Sequence, residues 1–333
     1  MNRSIRYFES QEIVRRRYHH LHGRYPNAAK ARSIALHVEQ GVNFIKSATR
    51  APISIRPLLQ FYGVAALARA VTIFRDRNRV ESTLTAGHGL QVPNWDVLGD
   101  SHSGRGFTDL NARVTAGLFS DLSAATDGLA YLYANSSRPN WAIRLGPVTA
   151  GAEFNFADLL GLLPDLWEEH SVWTDANHAR FILRGLATPS ADSPEQLTWT
   201  IGTQEAPDET RAVFPGETVD PSVVSGNEVR LLTSIDPHFQ PVQLHHGPFD
   251  IGDTYLVSPI GAQVSLSTIE IYYATAYVMS MLARYRLSDW LAVWRGEKGD
   301  IARPVFERAM DLIQEQYLQV CSDLLEADTA ITL

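Results

Sequence analysis

The sequence predicts a mainly α fold of α+β type, in which helices from both ends form one core and a β-rich section lies between them. Three observations carry this prediction. Residues 52–74 form a dense apolar block that leaves almost no polar face, which is the pattern of a buried helix. Residues 269–285 form a second such block, with Trp290 just beyond it. Between them, residues 181–262 alternate short β-type runs with Gly and Pro, as strands and turns do. Neither apolar block can cover its own surface, so each is expected to bury against the other. The expected division is residues 1–170 plus 263–333 as a helical core, with 171–262 as a β-rich insertion.

Taken in order, residues 5–22 read as a first helix. Asn27 is placed to cap a second over 28–48, where Ile34, Val38, Val42 and Ile45 fall on one stripe. Ser54 and Pro57 open the third helix, since proline is tolerated where its missing N–H would be unpaired anyway. Gly63, Ala65, Ala66, Ala68 and Ala70 allow another backbone close to it. Residues 86–108 read as loop, with Gly87-His-Gly89 and Gly104-Arg-Gly106 as turns, and a short helix is expected over 108–118. A strand is expected over 141–148 and a helix over 156–170, capped by Asn155. Strand runs follow at 181–186, 197–201, 211–214, 228–232, 242–244 and 254–257. Ser267-Thr-Ile-Glu270 is a capping box directly before an apolar run. A last helix begins near Pro304, with Phe306, Met310, Ile313, Tyr317, Val320 and Leu324 as its apolar stripe and Cys321 packed beside it.

The 29 basic and 37 acidic residues give a net charge of −8, which argues against a general nucleic-acid coat protein. The charge is uneven. Residues 1–32 hold Arg3, Arg6, Arg15, Arg16, Arg17, Arg24, Lys30 and Arg32 against Glu9 and Glu12, a local +6, with His19, His20 and His22 in the same stretch. RNA or a nucleotide could be held at this basic N-terminal segment. A single cysteine leaves no internal disulfide framework and fits a reducing compartment. The longest apolar stretch, 271–283, contains Thr275 and Ser280 and is too short to span a bilayer. A cytoplasmic protein without a membrane partner is expected.

At this point the blocks resemble a known family. Pro52-Ile-Ser-Ile-Arg-Pro-Leu-Leu-Gln-Phe-Tyr-Gly63, followed by Ser82-Thr-Leu-Thr-Ala-Gly-His-Gly-Leu90, resembles the N-terminal signature of YaaC-like bacterial proteins. Phe156-Ala-Asp-Leu-Leu-Gly-Leu-Leu-Pro-Asp165 resembles their middle helix, and Tyr277-Val-Met-Ser-Met-Leu-Ala-Arg-Tyr-Arg286 with Trp290 their C-terminal signature. The resemblance implies a cytoplasmic bacterial protein and carries over no catalytic residue. It draws attention to Arg56, His88, Arg284 and Tyr285, which lie inside the matching motifs.

Several reaction classes have no motif here: there is no GxxxxGK[ST] loop, no GxGxxG after a strand, no GxSxG elbow and no HExxH. Three constellations remain. Arg32-x4-His37 resembles the Arg-x4–6-His signature of HEPN ribonucleases, in which the pair assists attack of a ribose 2′-hydroxyl without metal; Ser33 departs from the Asn, Asp or His common after that arginine. Asp236, His238, His245, His246, Asp250 and Asp253 offer metal donors at a spacing that matches no standard ligand set, so no metal or cofactor is assigned. Arg56, His88, Arg284 and Tyr285 could form an anion or nucleotide pocket; the plainer outcome is a salt bridge from an arginine to Glu81 or Glu270. His170 and His178 read as surface or cap residues. The expectation is a non-enzymatic binding or assembly subunit of a multi-protein system, with a protein partner or a second copy of itself. The alternative is a metal-independent ribonuclease using Arg32 and His37.

Overall fold

A computed structural model describes residues 5–99, 105–133, 139, 141–176, 181–183, 188–189, 196–202, 218–225, 228–234, 240–243, 254–257, 260, 264–326 and 331–332. The helices are α1 (Gln11–His22), α2 (Ala28–Ala48), α3 (Arg56–Arg75), α4 (Leu118–Thr126), α5 (Phe156–Gly161), α6 (Trp167–Thr174), α7 (Thr268–Tyr285), α8 (Leu287–Arg295) and α9 (Arg303–Glu326). The strands are β1 (His88–Gln91), β2 (Asn111–Gly117), β3 (Leu129–Leu132), β4 (Trp141–Arg144), β5 (Glu153–Asn155), β6 (Phe181–Leu183), β7 (Thr188–Pro189), β8 (Gln196–Gly202), β9 (Thr218–Ser225), β10 (Glu228–Ser234), β11 (Gln240–Gln243), β12 (Thr254–Val257) and β13 (Ile331–Thr332).

The centre of the fold is α3, buried along most of its surface as its apolar composition demands, with Tyr62 left exposed. It is enclosed by α2, α4, α7 and α9. N- and C-terminal helices therefore share one core. Polar threads cross it: Gln60 Nε2 donates to the Met310 carbonyl (2.7 Å) and Tyr317 Oη to the Val64 carbonyl (3.2 Å). By length and composition α3 could also cross a membrane, yet 78% of that stretch is buried inside the fold.

The capping signals read correctly. Asn27 accepts from the Lys30 N–H at 2.7 Å, and Asn155 from the N–H groups of Ala157 and Asp158. Glu270 reaches back to the Ser267 N–H (2.7 Å) and also takes the Ser267 hydroxyl (2.6 Å), which satisfies a donor that the helix start would orphan.

The close approach expected at Gly63 is real. A Cβ there would lie 2.7 Å from Ile45 Cγ1 and 3.0 Å from the Gly41 carbonyl oxygen, because α2 and α3 cross at the glycine pair. Gly63→Leu is expected to cost about 1–3 kcal/mol by overpacking, read as a lower urea midpoint at unchanged slope.

Several predicted elements need correction. Within the loop expected over 86–108, residues 88–91 are strand β1 and 95–98 and 105–107 are 3-10 turns, and the strand expected over 141–148 ends at Arg144. The first helix is two pieces, a 3-10 turn over Ile5–Glu9 and then α1, with Ser10 in extended backbone between them. The span 108–118 is no helix: residues 111–117 are strand β2, with Ala112 and Val114 inward and Arg113 outward. The helix over 156–170 breaks at Pro164, which opens a 3-10 turn between α5 and α6.

The strands form three sheets. β1-β2-β5 is antiparallel. β11-β12-β6-β8-β10-β9 is antiparallel, with β7 beside β8. In β13-β4-β3 the β13–β4 pair is parallel. The predicted runs at 181–186, 197–201, 228–232, 242–244 and 254–257 each overlap a strand, and β7 and β9 have no counterpart among them. Residues 211–214 lie outside the described residues.

Candidate functional site

Of the four predicted pocket residues, Arg284 lies within electrostatic reach of His88, Tyr285 lies beside Arg284, and Arg56 pairs with an acid of another helix. His88 opens β1, pinned by Tyr273 of α7, whose Oη donates to the His88 carbonyl at 2.9 Å. Its ring meets Phe61 of α3 edge-on (centroids 4.9 Å apart) and lies 6.0 Å from the ring of Tyr277. Its Nδ1 is buried with no hydrogen-bond partner. Burial first, then the positive charges of Arg69 and Arg284, lower the His88 pKa, so the ring is neutral at pH 7. Arg284, at the exposed end of α7, lies over the ring of its neighbour Tyr285 at 5.0 Å. Neither Arg69 nor Arg284 has a carboxylate partner among the described residues.

Arg69 is a site residue that sequence reasoning does not single out. It is half-buried midway along α3. Its charge also acts on His37, whose pKa is lowered chiefly by burial and raised in part by Glu81. The guanidinium thus links the His88 and His37 neighbourhoods, which are far apart in sequence.

Arg56 belongs elsewhere. Its Nη2 pairs with Asp311 of α9 at 2.5 Å, which ties α3 to α9. The predicted acids are the wrong ones: Glu270 is engaged at the α7 cap, and Glu81 accepts the Ser33 hydroxyl at 2.8 Å.

Arg32 and His37 both lie on α2. Five residues apart on α2, the two side chains leave the helix about 140° apart. Arg32 is exposed, whereas His37 is mostly buried and lies 3.6 Å from Glu81. His37 instead faces an open groove of about 600 Å³ with Ser33, Gln40, Asn43, Phe44 and Glu81.

The remaining candidates resolve simply. His170 is buried, not a surface residue; its Nε2 lies 2.8 Å from the Ala157 carbonyl, tying α6 to α5. Cys321 is buried, and burial pushes its thiol pKa up, which suits packing rather than reactivity. His178 and the cluster Asp236, His238, His245, His246, Asp250 and Asp253 lie outside the described residues. Among the described residues no group of three His, Cys, Asp or Glu is arranged to hold a metal.

One further buried acid shapes the pH response. Asp323 on α9 accepts from Tyr133 Oη and from Gln319 Nε2, and burial raises its carboxyl to about 7. The folded chain therefore holds this proton more tightly than the unfolded chain. Its contribution is full below about pH 4 and is lost as pH rises through about 7. His22, His37, His88 and His170, lowered by burial, act in the opposite sense below about pH 6.5. Comparing wild type with Asp323→Asn cancels the histidines. The variant should gain on wild type by on the order of 1 kcal/mol per pH unit between about pH 5 and 7, then level off. Urea unfolding at stepped pH measures it.

A model of YaaC-like proteins matches residues 6–325, nearly the whole chain. No curated protein and no solved structure matches it. The two apolar blocks that resemble that family are α3 and α7, the pair that builds the core and positions His88 and Arg284. The chain belongs to the YaaC-like protein family.

Proposed function

We propose that this is a binding and assembly protein that holds an anionic ligand, such as a phosphate or nucleotide, at the seam of α3, α7 and β1. One observation carries the reading: Arg69, half-buried on the core helix without an acid, stands within electrostatic reach of His88, whose buried Nδ1 is unpaired. A buried cation without a counter-charge is costly, and an anion accepting from Arg69, Arg284 and His88 offsets that cost. Tyr285 (60% exposed), Leu287 (43%) and Ile55 (46%) add apolar surface for a partner near the same seam. Trp290 brings the end of α7 to the start of α3 by donating to the Ile53 carbonyl.

The test is thermal unfolding with inorganic phosphate and a nucleotide panel. A ligand at 100 times its Kd stabilises wild type by about 2.7 kcal/mol. Arg69→Met, which keeps most of the aliphatic stem, and Arg284→Ala should each lose most of that gain. The gain should grow as pH falls towards 6, because an anion favours the protonated His88 that burial and then the two guanidinium charges disfavour. Equal gains in wild type and both variants would remove the seam from consideration.

The ribonuclease alternative is separable by RNA cleavage in EDTA. It requires cleavage by wild type that Arg32→Ala and His37→Ala both abolish. The divergence of Arg32 and His37 on α2 favours the binding reading.

A further inference from the structure

The exposed side of α1 is built unlike the rest of this acidic chain. Only Val14 and Tyr18 of α1 are buried. Arg15, Arg16, Arg17, His19 and His20 all face outward, and Arg24 follows just past the helix end. The single acid on the helix, Glu12, is engaged by Arg16 at 2.8 Å. Arg15 and Arg17 have no carboxylate partner among the described residues. With residues 1–32 at +6 and the whole chain at −8, the remainder carries −14. A polyanion is attracted to this face and repelled by the others.

Charge alone does not choose between an acidic protein and a nucleic acid, but the rings do. Tyr25 (58% exposed) stacks on His19, with centroids 4.2 Å apart and planes inclined by 24°, and the Arg15 guanidinium lies 5.6 Å from the Tyr25 centroid. On an adjoining side of α1, Tyr7 (60% exposed), Arg16, Arg17 and His20 line an open notch of about 520 Å³ that also includes Glu326. Exposed rings set among guanidinium groups suit a strand whose phosphates meet the arginines while its bases extend the ring stack or enter the notch. A duplex keeps its bases stacked inside and reaches only the charges. An acidic peptide likewise leaves the rings unused.

We propose that the outer face of α1, with Tyr7 and Tyr25, binds single-stranded nucleic acid. This surface is independent of the α3–α7–β1 seam, so either can fail without the other. The test is fluorescence anisotropy of the full-length protein with labelled U12 RNA and T12 DNA, a duplex of equal length, and polyglutamate as competitor, over a salt series. Wild type should bind the single strands at least tenfold more tightly than the duplex. Arg15→Ala with Arg17→Ala should weaken binding at least tenfold and flatten the log-affinity against log-salt slope by roughly 0.7 for each phosphate no longer neutralised. Tyr25→Ala should weaken binding roughly tenfold with the slope unchanged, the mark of missing stacking. Arg144→Ala, an exposed arginine of β4 that belongs to neither surface, should change nothing. These positions are exposed, and equal melting temperatures confirm that the variants fold. Absence of single-strand binding, unchanged binding in the α1 variants, or displacement by polyglutamate as effective as by RNA overturns the proposal; the last result would identify an acidic protein as the partner.

Discussion

Gly117→Ala is expected to destabilise the chain by about 3–5 kcal/mol, more than a usual surface glycine replacement. Gly117 ends β2 at φ +149°, and a Cβ there would lie 2.3 Å from the Gly89 nitrogen and 2.7 Å from its Cα. Both obstacles are backbone, so no side chain can rotate away. The close approach lies where β1 and β2 pair His88 with Gly117 and the register shifts before Leu90. Unfavourable φ costs on the order of 1–3 kcal/mol, and relief of the overlap must separate the strands. Gly23→Ala is the control: φ is +68° at the α1 C-cap, but nothing lies within 4 Å of the added methyl. That variant should lose only about 1 kcal/mol. Urea midpoints measure both. Because β1 carries His88, Gly117→Ala should also blunt the stabilisation by anions.

The parts of this fold that are legible in the sequence are those with local causes. Asn27, Asn155 and the Ser267–Glu270 box mark helix starts because a cap is an interaction across two or three residues. α3 and α7 are legible because a helix apolar all round can only be buried. β2 is hidden because its alternation is short: Ala112 and Val114 point inward within seven residues, too few to outweigh the neighbouring helix pattern. The acid that takes Arg56 is Asp311, 255 residues away and beyond any spacing argument. His170 reads as polar, yet its ring is buried against a carbonyl 13 residues earlier. Arg69 does leave a signal. It is the lone charge between Arg56 and Arg75, and a charge kept inside so apolar a helix calls for a partner or a ligand.

Trp290→Ala should cost about 3–5 kcal/mol, and the effect should be felt at both ends of the chain. The side chain is fully buried, stacked on Phe306 of α9 with centroids 5.7 Å apart and planes inclined by 16°. Its Nε1 donates to the Ile53 carbonyl at 3.0 Å, just before α3 begins. One residue on α8 thus joins the last helix to the entry of the core helix. Trp290→Phe separates the two contributions. A phenyl ring keeps most of the packing against Phe306 but leaves the Ile53 carbonyl without its donor, a cost of about 1–3 kcal/mol where the carbonyl stays buried. If packing dominates, Trp290→Phe recovers most of the stability that Trp290→Ala loses. If the hydrogen bond sets how residues 53–56 enter α3, Trp290→Phe remains close to Trp290→Ala, and hydrogen exchange should rise first at the α3 amides near Arg56. Equal stability of Trp290→Ala and wild type would contradict the packing of α8 against α9 and the start of α3.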